Sequence, residues 1–179
     1  MKKVASFIFF TILGWKLEGD FSRDVKKYVV IAAPHTSWLD FPIAILSRVS
    51  AGIMINFVGK SSLFNGPFGF FFRALGGTPV DRSKSNNLVD AIIDIFDQKE
   101  VFRLALSPEG TRKKVTIWKT GFYYIAKGAN VPIVMATLDF ENKKLKISDP
   151  YYTTNDKDQD FAFFKAFYSN VKGKNPELS

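Results

Sequence analysis

The chain has 179 residues, 46% of them hydrophobic, which fits one domain with a sizeable core. The sequence contains no internal repeat and no low-complexity segment. It contains no cysteine and one histidine, which excludes disulfides, thiolate nucleophiles and multi-histidine metal centres, and we expect no metal. The formal net charge of +8 favours polyanionic partners such as phospholipid head groups or nucleic acid.

An apolar run at residues 4–15 lies between Lys2, Lys3 and Lys16. It is shorter than the roughly 20 residues that a helix needs to cross a bilayer. An interfacial helix over residues 1–17, a buried helix and a secretory signal all stay open, although no small-residue cleavage site follows. We favour the interfacial helix because lysines flank the run and aromatic residues are abundant.

Apolar runs that end at proline, glycine or charged residues predict strands, and apolar residues at helical spacing predict helices. In chain order, the predicted elements are a strand at 28–33, a helix at 40–49, a strand at 54–58, short helices and turns over 59–75, a strand at 78–80, a helix at 85–98, a strand at 101–106, a helix at 122–126, strands at 131–138 and 144–148, and a helix at 161–171.

This order of elements predicts an α/β fold, a single domain over residues 1–179 with a mostly parallel central sheet flanked by helices. Ligands of such sheets gather in the loops beyond the carboxyl ends of the strands. Three of these loops carry unusual residues, at 34–40, 76–82 and 107–112.

The loop after the first predicted core strand contains His35, with Asp40 five residues later near a helix start. A turn between them can fold the carboxylate back onto the ring. One imidazole nitrogen then donates to Asp40, and the other can take a proton from a substrate hydroxyl. The alternative is an ordinary loop histidine beside a carboxylate that the helix dipole favours.

Two other reactions are disfavoured by the residues near these loops. Ser37 lacks a G-x-S-x-G elbow and a second histidine, so we do not expect a serine nucleophile. Residues 58–61 resemble the end of a P-loop, but Met54 stands where that motif requires glycine, which rejects nucleotide triphosphate hydrolysis. Lys60 stays a candidate anion contact, with an ordinary surface lysine as the alternative.

The second and third loops have residues suited to an anionic ligand. Gly77 lets the backbone approach a ligand closely, and Arg82 can bind phosphate through two hydrogen bonds. The alternative, which the segment taken alone favours, is a glycine turn into an edge strand. The third loop is either a phosphate or polyol site or a solvated charged turn. Its polar segment is Glu109, Gly110, Thr111, Arg112, Lys113 and Lys114.

Taken together and in order, four segments resemble the motif blocks of the glycerolipid acyltransferase family, of the 1-acylglycerol-3-phosphate O-acyltransferase type. The four segments are His35-x4-Asp40, 76–82, 109–112 and 131–133, within a match over residues 30–138. The chain departs from the family pattern at Pro34 and Lys113, where many relatives carry asparagine and serine.

The resemblance implies a glycerol-3-phosphate acyltransferase-like fold and transfer of a fatty acyl group to 1-acylglycerol 3-phosphate, forming phosphatidic acid. It implies acyl-CoA or acyl-carrier protein as co-substrate and no cofactor. It also implies that His35 is the general base and Asp40 its partner. The predicted substrate-binding residues are Lys60, Gly77, Arg82, Glu109, Gly110, Thr111 and Arg112.

The expected partners are a lysophospholipid acceptor, an acyl thioester donor and an anionic membrane surface. We expect a peripheral or monotopic protein on the cytoplasmic face of the membrane. Two alternatives stay open, an acyltransferase for another lysolipid or amino-lipid and a non-enzymatic basic lipid-binding protein of the same fold. Nucleic acid is not an expected partner, because the basic residues are scattered, and no particular oligomeric state is favoured.

A cluster of phenylalanines in the predicted short helices allows two interpretations. Phe68, Phe70, Phe71 and Phe72 either line an acyl groove or pack in the core. We expect them in the core, which is where aromatic clusters are more often found.

Overall fold

The computed structural model of the chain, which describes residues 1–80 and 88–179, is built around parallel strands. In chain order, the strands are β1 (Lys16–Glu18), β2 (Lys27–Ala33), β3 (Phe57–Lys60), β4 (Gly77–Val80), β5 (Phe102–Leu106), β6 (Ile133–Thr137) and β7 (Lys144–Lys146). The α-helices are α1 (Lys2–Ser6), α2 (Asp40–Ala51), α3 (Ser61–Asn65), α4 (Gly69–Ala74), α5 (Leu88–Gln98), α6 (Gly121–Gly128) and α7 (Lys157–Phe167). A π-helix, Phe7–Ile12, continues α1, and Pro176–Leu178 is a short 3-10 helix.

Strand β2 is central because it pairs in parallel with β5 on one side and with β6 on the other. The parallel pair β3–β4 joins β5 through a bridge between Asn56 and Leu104. Strand β7, with β1 beside it, joins β6 through an antiparallel bridge between Ala136 and Ile147. The strand order is therefore β4-β3-β5-β2-β6-β7-β1, and the mostly parallel central sheet of the prediction is confirmed.

Alternate residues of the central strands point to opposite faces, and helices cover both faces. On one face, buried residues of β2, β5 and β6 pack with helices α5, α6 and α7, through Val29, Leu104, Ile133, Phe96, Phe122 and Phe164. On the other face they pack with α2 and the N-terminal helix, through Tyr28, Val30, Val134, Ile43 and Phe9. The carboxyl edge of the sheet is where the loops after β2 and β5 lie.

The predicted N-terminal helix ends at Ile12 rather than at residue 17, and Lys16–Glu18 form β1 instead. Gly14 has a left-handed φ of 68°, which ends the helix and turns the chain. The Lys16 amide then donates to the Lys143 carbonyl at 2.8 Å, a contact far away in sequence. Among the described residues, no helix combines the length and the apolar character that a membrane crossing requires.

Other element boundaries also differ from the prediction. Helix α7 begins at Lys157 rather than at residue 161, because the Asp156 side chain accepts hydrogen bonds from the amides of Asp158 and Gln159 and so caps the helix. Strand β3 begins at Phe57 rather than at residue 54. Of the helix predicted at 85–98, residues 88–98 are helical, and 85–87 lie outside the described residues.

Helix α7 is fastened to the sheet by a buried carboxylate, Asp160. It accepts hydrogen bonds from the hydroxyls of Tyr151 at 2.6 Å and Tyr123 at 3.0 Å and from the Thr154 amide at 2.9 Å. Burial opposes ionisation, but these hydrogen bonds outweigh it and hold the pKa of Asp160 below its ordinary value. Asp160 thereby ties the first turn of α7 to Tyr123 of α6 and to the segment before the helix.

The phenylalanines expected in the core are mostly at the surface, and that expectation is wrong. Phe68, Phe70 and Phe71 are exposed. The buried ring of this region is Phe64. Helix α4 packs tightly against the end of α3, since a Cβ on Gly69 would lie 2.1 Å from the Phe64 carbonyl oxygen. The six-residue helix α4 therefore has an apolar face that no described residue covers.

Candidate active site

His35 follows β2 directly and Asp40 is the first residue of α2, so the central strand and the helix after it hold the two side chains together. His35 Nδ1 lies 2.8 Å from Asp40 Oδ2, which also accepts the Ser37 amide at 2.9 Å. When Nδ1 donates to the carboxylate, Nε2 of the neutral ring carries no hydrogen and is the acceptor nitrogen. The loop therefore has the geometry of a base and the group that orients it.

The environment of the pair is asymmetric. Asp40 is buried, and its Oδ1 has no hydrogen-bond partner in the part of the chain that the structure describes. The His35 side chain is partly open to solvent. A buried carboxylate beside a reachable ring stabilises the imidazolium cation that forms when the ring takes a proton.

Glu109, after β5, supports the His35 loop from behind. Its Oε2 accepts the His35 amide at 2.7 Å and the Ser107 hydroxyl at 3.1 Å. Burial raises the pKa of the Glu109 carboxyl above its ordinary value, although these two hydrogen bonds act in the opposite direction. Glu109 thus ties together the loops that follow the two neighbouring strands β2 and β5.

The segment after α7 holds the same loop from another side. The Asn175 amide donates to Thr36 Oγ1 at 3.1 Å, and its side-chain Nδ2 donates to the Thr36 carbonyl at 2.8 Å. Gly173 also packs here, since a Cβ at this position would lie 2.4 Å from Thr36 Oγ1. The residue next to His35 is therefore fixed by a contact across almost the whole sequence.

A cavity of about 590 Å³ opens beside His35. Its apolar wall comes from β3, α5 and α6 and includes Val58, Leu88, Ile92 and Phe122. Its polar side carries Ser107, Gly110, Thr111, Arg112 and Lys119. Neither Arg112 nor Lys119 has an ion pair with any described residue, so both cations are available to an anion. We call this space the cationic cavity.

Gly110 is a structural requirement of this cavity. It has a left-handed φ of 65°, and a Cβ there would lie 2.7 Å from the Lys119 side chain. The Lys119 amide also donates to the Pro108 carbonyl at 2.8 Å. The turn at 108–110 and the segment before α6 are therefore held together with Lys119 at the cavity.

A second, apolar cavity of about 200 Å³ begins at His35 and Asp40. It adjoins a deeper one of about 90 Å³ between α2 and the sheet. The two share Ala32, Phe41, Ala44, Phe57, Ala105 and Leu138. We call them together the apolar channel, which leads from the His35–Asp40 pair into the interior.

The structure brings most of the predicted site residues together, but not all. His35, Gly110, Thr111 and Arg112 line the cationic cavity, whereas Glu109 is buried behind its wall. Two other predicted residues belong to the paired strands β3 and β4. Lys60 ends β3 at the carboxyl edge, and Gly77 packs against Phe64, whose ring would lie 2.7 Å from a Cβ at Gly77. Arg82 lies outside the described residues.

Lys119, Asn175 and Ala44 were not predicted as site residues. The sequence does contain a signal for Lys119, because residues 110–138 contain no aspartate or glutamate that could neutralise it. No sequence pattern indicates Ala44 or Asn175, since their positions at the site depend on tertiary contacts.

The family model described as Acyltransferase matches residues 16–138, well over half of the chain. The chain therefore belongs to the acyltransferase family, and the general class of its reaction is acyl transfer. The matched range contains the strands β1 to β6 and the loops with His35, Asp40 and Glu109. No curated protein sequence matches the chain.

Among solved structures, the chain is similar to the 1-acyl-sn-glycerophosphate (LPA) acyltransferase PlsC from Thermotoga maritima with a TM-score of 0.59. The match covers 93% of this chain and 76% of that one, at 20% sequence identity. At this identity the likeness concerns the fold, and it agrees with the acyltransferase-like α/β architecture.

The support that Glu109 gives to the His35 loop makes a prediction about stability. At the same pH, the free energy of unfolding of Glu109→Ala should be about 1–3 kcal/mol lower than that of Glu109→Gln, because alanine leaves two partly buried donors, the His35 amide and the Ser107 hydroxyl, without this acceptor. Urea unfolding of the two variants measures this difference. Equal stability of the two would contradict the proposed support.

The pH dependence of wild type relative to Glu109→Gln has a defined sign. A carboxyl with a raised folded-state pKa costs stability above that pKa, and the cost disappears as the pH falls below the unfolded value of 4.5. Glu109→Gln should therefore be at least as stable as wild type near neutral pH, and its advantage should shrink as the medium becomes acidic. A constant difference across this range would contradict the buried-carboxylate account.

Proposed function

We propose that the protein transfers a fatty acyl group from acyl-CoA or acyl-carrier protein to the free hydroxyl of 1-acylglycerol 3-phosphate, forming phosphatidic acid. One observation carries this proposal, namely that His35 lines both the cationic cavity and the apolar channel. The acceptor has a phosphate next to its hydroxyl, and the donor has a long apolar chain next to its thioester. A base between these two surfaces meets both reacting groups.

In the proposed reaction, His35 Nε2 takes the proton of the acceptor hydroxyl as the oxygen attacks the thioester carbonyl carbon. The carbon–sulfur bond then breaks, the new ester forms, and the departing thiolate receives the proton from the imidazolium. Asp40 orients the ring and stabilises its charged form through the contact at Nδ1. No covalent intermediate with the protein is required, in keeping with the absence of cysteine from the chain.

The acceptor phosphate belongs, in this proposal, at the cationic side of the larger cavity. Arg112 offers a planar guanidinium for two parallel hydrogen bonds and Lys119 adds a second cation. Thr111 and Gly110 belong to the same wall. We include Lys60, Arg82 and Gly77 as further contributors on the grounds of the family resemblance alone.

The donor chain belongs in the apolar channel. Burial of each methylene group contributes about 0.8 kcal/mol, so a longer chain binds more tightly until the channel is filled. Ala44 and Ala105 lie where the two parts of the channel meet, and their small side chains leave the passage open. The channel therefore sets a limit on acyl length that a larger side chain would shorten.

We further propose a peripheral or monotopic protein at the cytoplasmic face of the membrane, with residues 1–179 acting as one domain. The N-terminal helix supports this, since Val4, Phe7, Phe10 and Ile12 are exposed on it. Lys2 and Lys3 are exposed beside them and suit an anionic lipid surface. No cofactor is needed, because the thioester itself is the activated group.

Removal of the proposed base should abolish most of the activity. We expect His35→Ala to lower kcat/KM for acyl transfer by about 10²–10⁴-fold, and Asp40→Asn to lower it in the same direction, because the ring loses its proton-accepting role or its orientation. Thiol release from palmitoyl-CoA with dispersed lysophosphatidic acid measures the rate.

Ser37→Ala is the matched control in the same loop, because it keeps the backbone amide that Asp40 Oδ2 accepts and removes only the hydroxyl. Its activity should stay within about tenfold of wild type, well short of the loss expected for a missing base. Full activity of His35→Ala, or loss of activity in Ser37→Ala alone, would reject His35 as the base.

A larger side chain in the channel should change the preferred donor. Ala44→Phe should lower kcat/KM for donors of 16 or 18 carbons by about tenfold or more while it spares donors of about six to eight carbons, since each excluded methylene forfeits burial. Ala162→Phe, on an exposed position of α7, is the control. An unchanged chain-length profile in Ala44→Phe would place the donor chain elsewhere.

A further inference from the structure

Four large apolar side chains of α3, α4 and the turn between them are exposed within residues 63–71. Their exposed fractions are 49% for Leu63, 69% for Phe68, 73% for Phe70 and 51% for Phe71. We call these four residues the aromatic patch. Soluble proteins seldom leave several large apolar side chains together in water unless the surface meets a partner.

The exposure of the patch does not come from loosely held helices. Phe64, at the centre of the same segment, is buried and packs against β4. Arg73 Nη1 donates to the Phe64 carbonyl at 2.7 Å, and its guanidinium lies 5.5 Å from the centroid of the Phe64 ring. The two helices are thus fixed by one inward ring and present the others outward.

The charge around the patch suits an anionic surface. Residues 41–80 contain no aspartate or glutamate. Of the cationic residues in this stretch, Arg73 on α4 is exposed, whereas Arg48 is buried and donates to the carbonyls of Ile55 and Leu75. Another pair of exposed aromatic residues, Tyr152 and Phe163, lies in a different setting, because the exposed Asp156 and Asp158 stand between them in sequence. Residues 41–80 therefore bring no carboxylate to an anionic lipid surface at α3 and α4, whereas Asp156 and Asp158 lie close in sequence to Tyr152 and Phe163.

The patch also lies on the side of the sheet where the candidate active site opens. Helix α3 follows β3 at the carboxyl edge, the edge at which His35 follows β2. Phe57 of β3 lines the apolar channel, and its ring would lie 2.9 Å from a Cβ on Gly77, next to the buried Phe64. Trp38, in the loop with His35, is also exposed at 68%. A surface seated at the patch is therefore close to the entrance of the channel.

We propose that the aromatic patch is a docking surface for an anionic lipid bilayer, separate from the contact made by the N-terminal helix. The phenylalanine rings insert among the lipid chains while the exposed Arg73 stays at the head groups. This docking rests on the proposed function for its purpose, since it holds the channel and the cationic cavity against the layer that supplies the lipid acceptor. The lipid contact itself needs no turnover and is measured without it.

The test is sedimentation of the full chain with vesicles of phosphatidylglycerol and, separately, of phosphatidylcholine. The variant Phe68→Ser/Phe70→Ser/Phe71→Ser should lower the partition coefficient for phosphatidylglycerol vesicles by tenfold or more. The control Tyr152→Ser/Phe163→Ser removes two exposed aromatic residues from the acidic surface and should bind as wild type does. Equal binding of the wild-type protein to both kinds of vesicle would contradict the preference for an anionic surface.

A second variant adds charge without removing any ring. Ser62→Glu/Asn65→Glu places two carboxylates on exposed positions of α3 and should weaken binding to phosphatidylglycerol vesicles by threefold or more. Because these positions are polar and exposed, the variant keeps the test decisive if the triple variant does not fold. If the folded patch variants bind phosphatidylglycerol vesicles as tightly as wild type does, the proposal is wrong.

Two further readouts separate this inference from others. If the patch variants bind vesicles normally but change the molar mass in light scattering, the patch joins two copies of the chain and the lipid proposal is wrong. If the patch variants lose vesicle binding while wild type transfers no acyl group to any lysolipid, the docking surface stands and the proposed function fails.

Discussion

The contact between His35 Nδ1 and Asp40 Oδ2 is the interaction on which the rest of the site depends. It exists because β2 is buried between two parallel partners, so that the loop at its carboxyl end starts from a fixed point. Helix α2 begins at Asp40 and returns the carboxylate to the ring, while Glu109 and Asn175 hold the loop from two other directions. A ring placed so firmly loses little freedom when a ligand arrives, which suits the proton transfer proposed for it.

The surfaces on either side of His35 differ in polarity. On one side are Arg112 and Lys119, both without ion-pair partners among the described residues, and on the other is a channel of alanine, phenylalanine and leucine. Burial of carboxylates is confined to places where they support the structure, as at Asp40, Glu109 and Asp160. One side of His35 therefore carries two cations free of ion pairs with the described residues, and the other side is apolar.

The parts of this structure that could be predicted are those set by local pattern. The apolar run before His35 predicted the central strand, and the spacing to Asp40 predicted their contact, because both depend on a few consecutive residues. The end of the N-terminal helix and the strand at residues 16–18 could not be predicted, since β1 exists only by pairing with residues 144–146. Likewise, Phe64 is buried against Gly77 of β4, and Asn175 reaches Thr36, only in the folded chain.

Acceptor dependence of thiol release tests the central claim most directly. The purified protein is given acyl-CoA labelled in its acyl group, with and without 1-acylglycerol 3-phosphate, and thiol and lipid products are measured together. The account predicts that thiol release requires the acceptor and that the label appears in phosphatidic acid in equal amount. Thiol release at the same rate without acceptor, with the label in free fatty acid, would contradict it, as would binding of the lipids with no release of thiol.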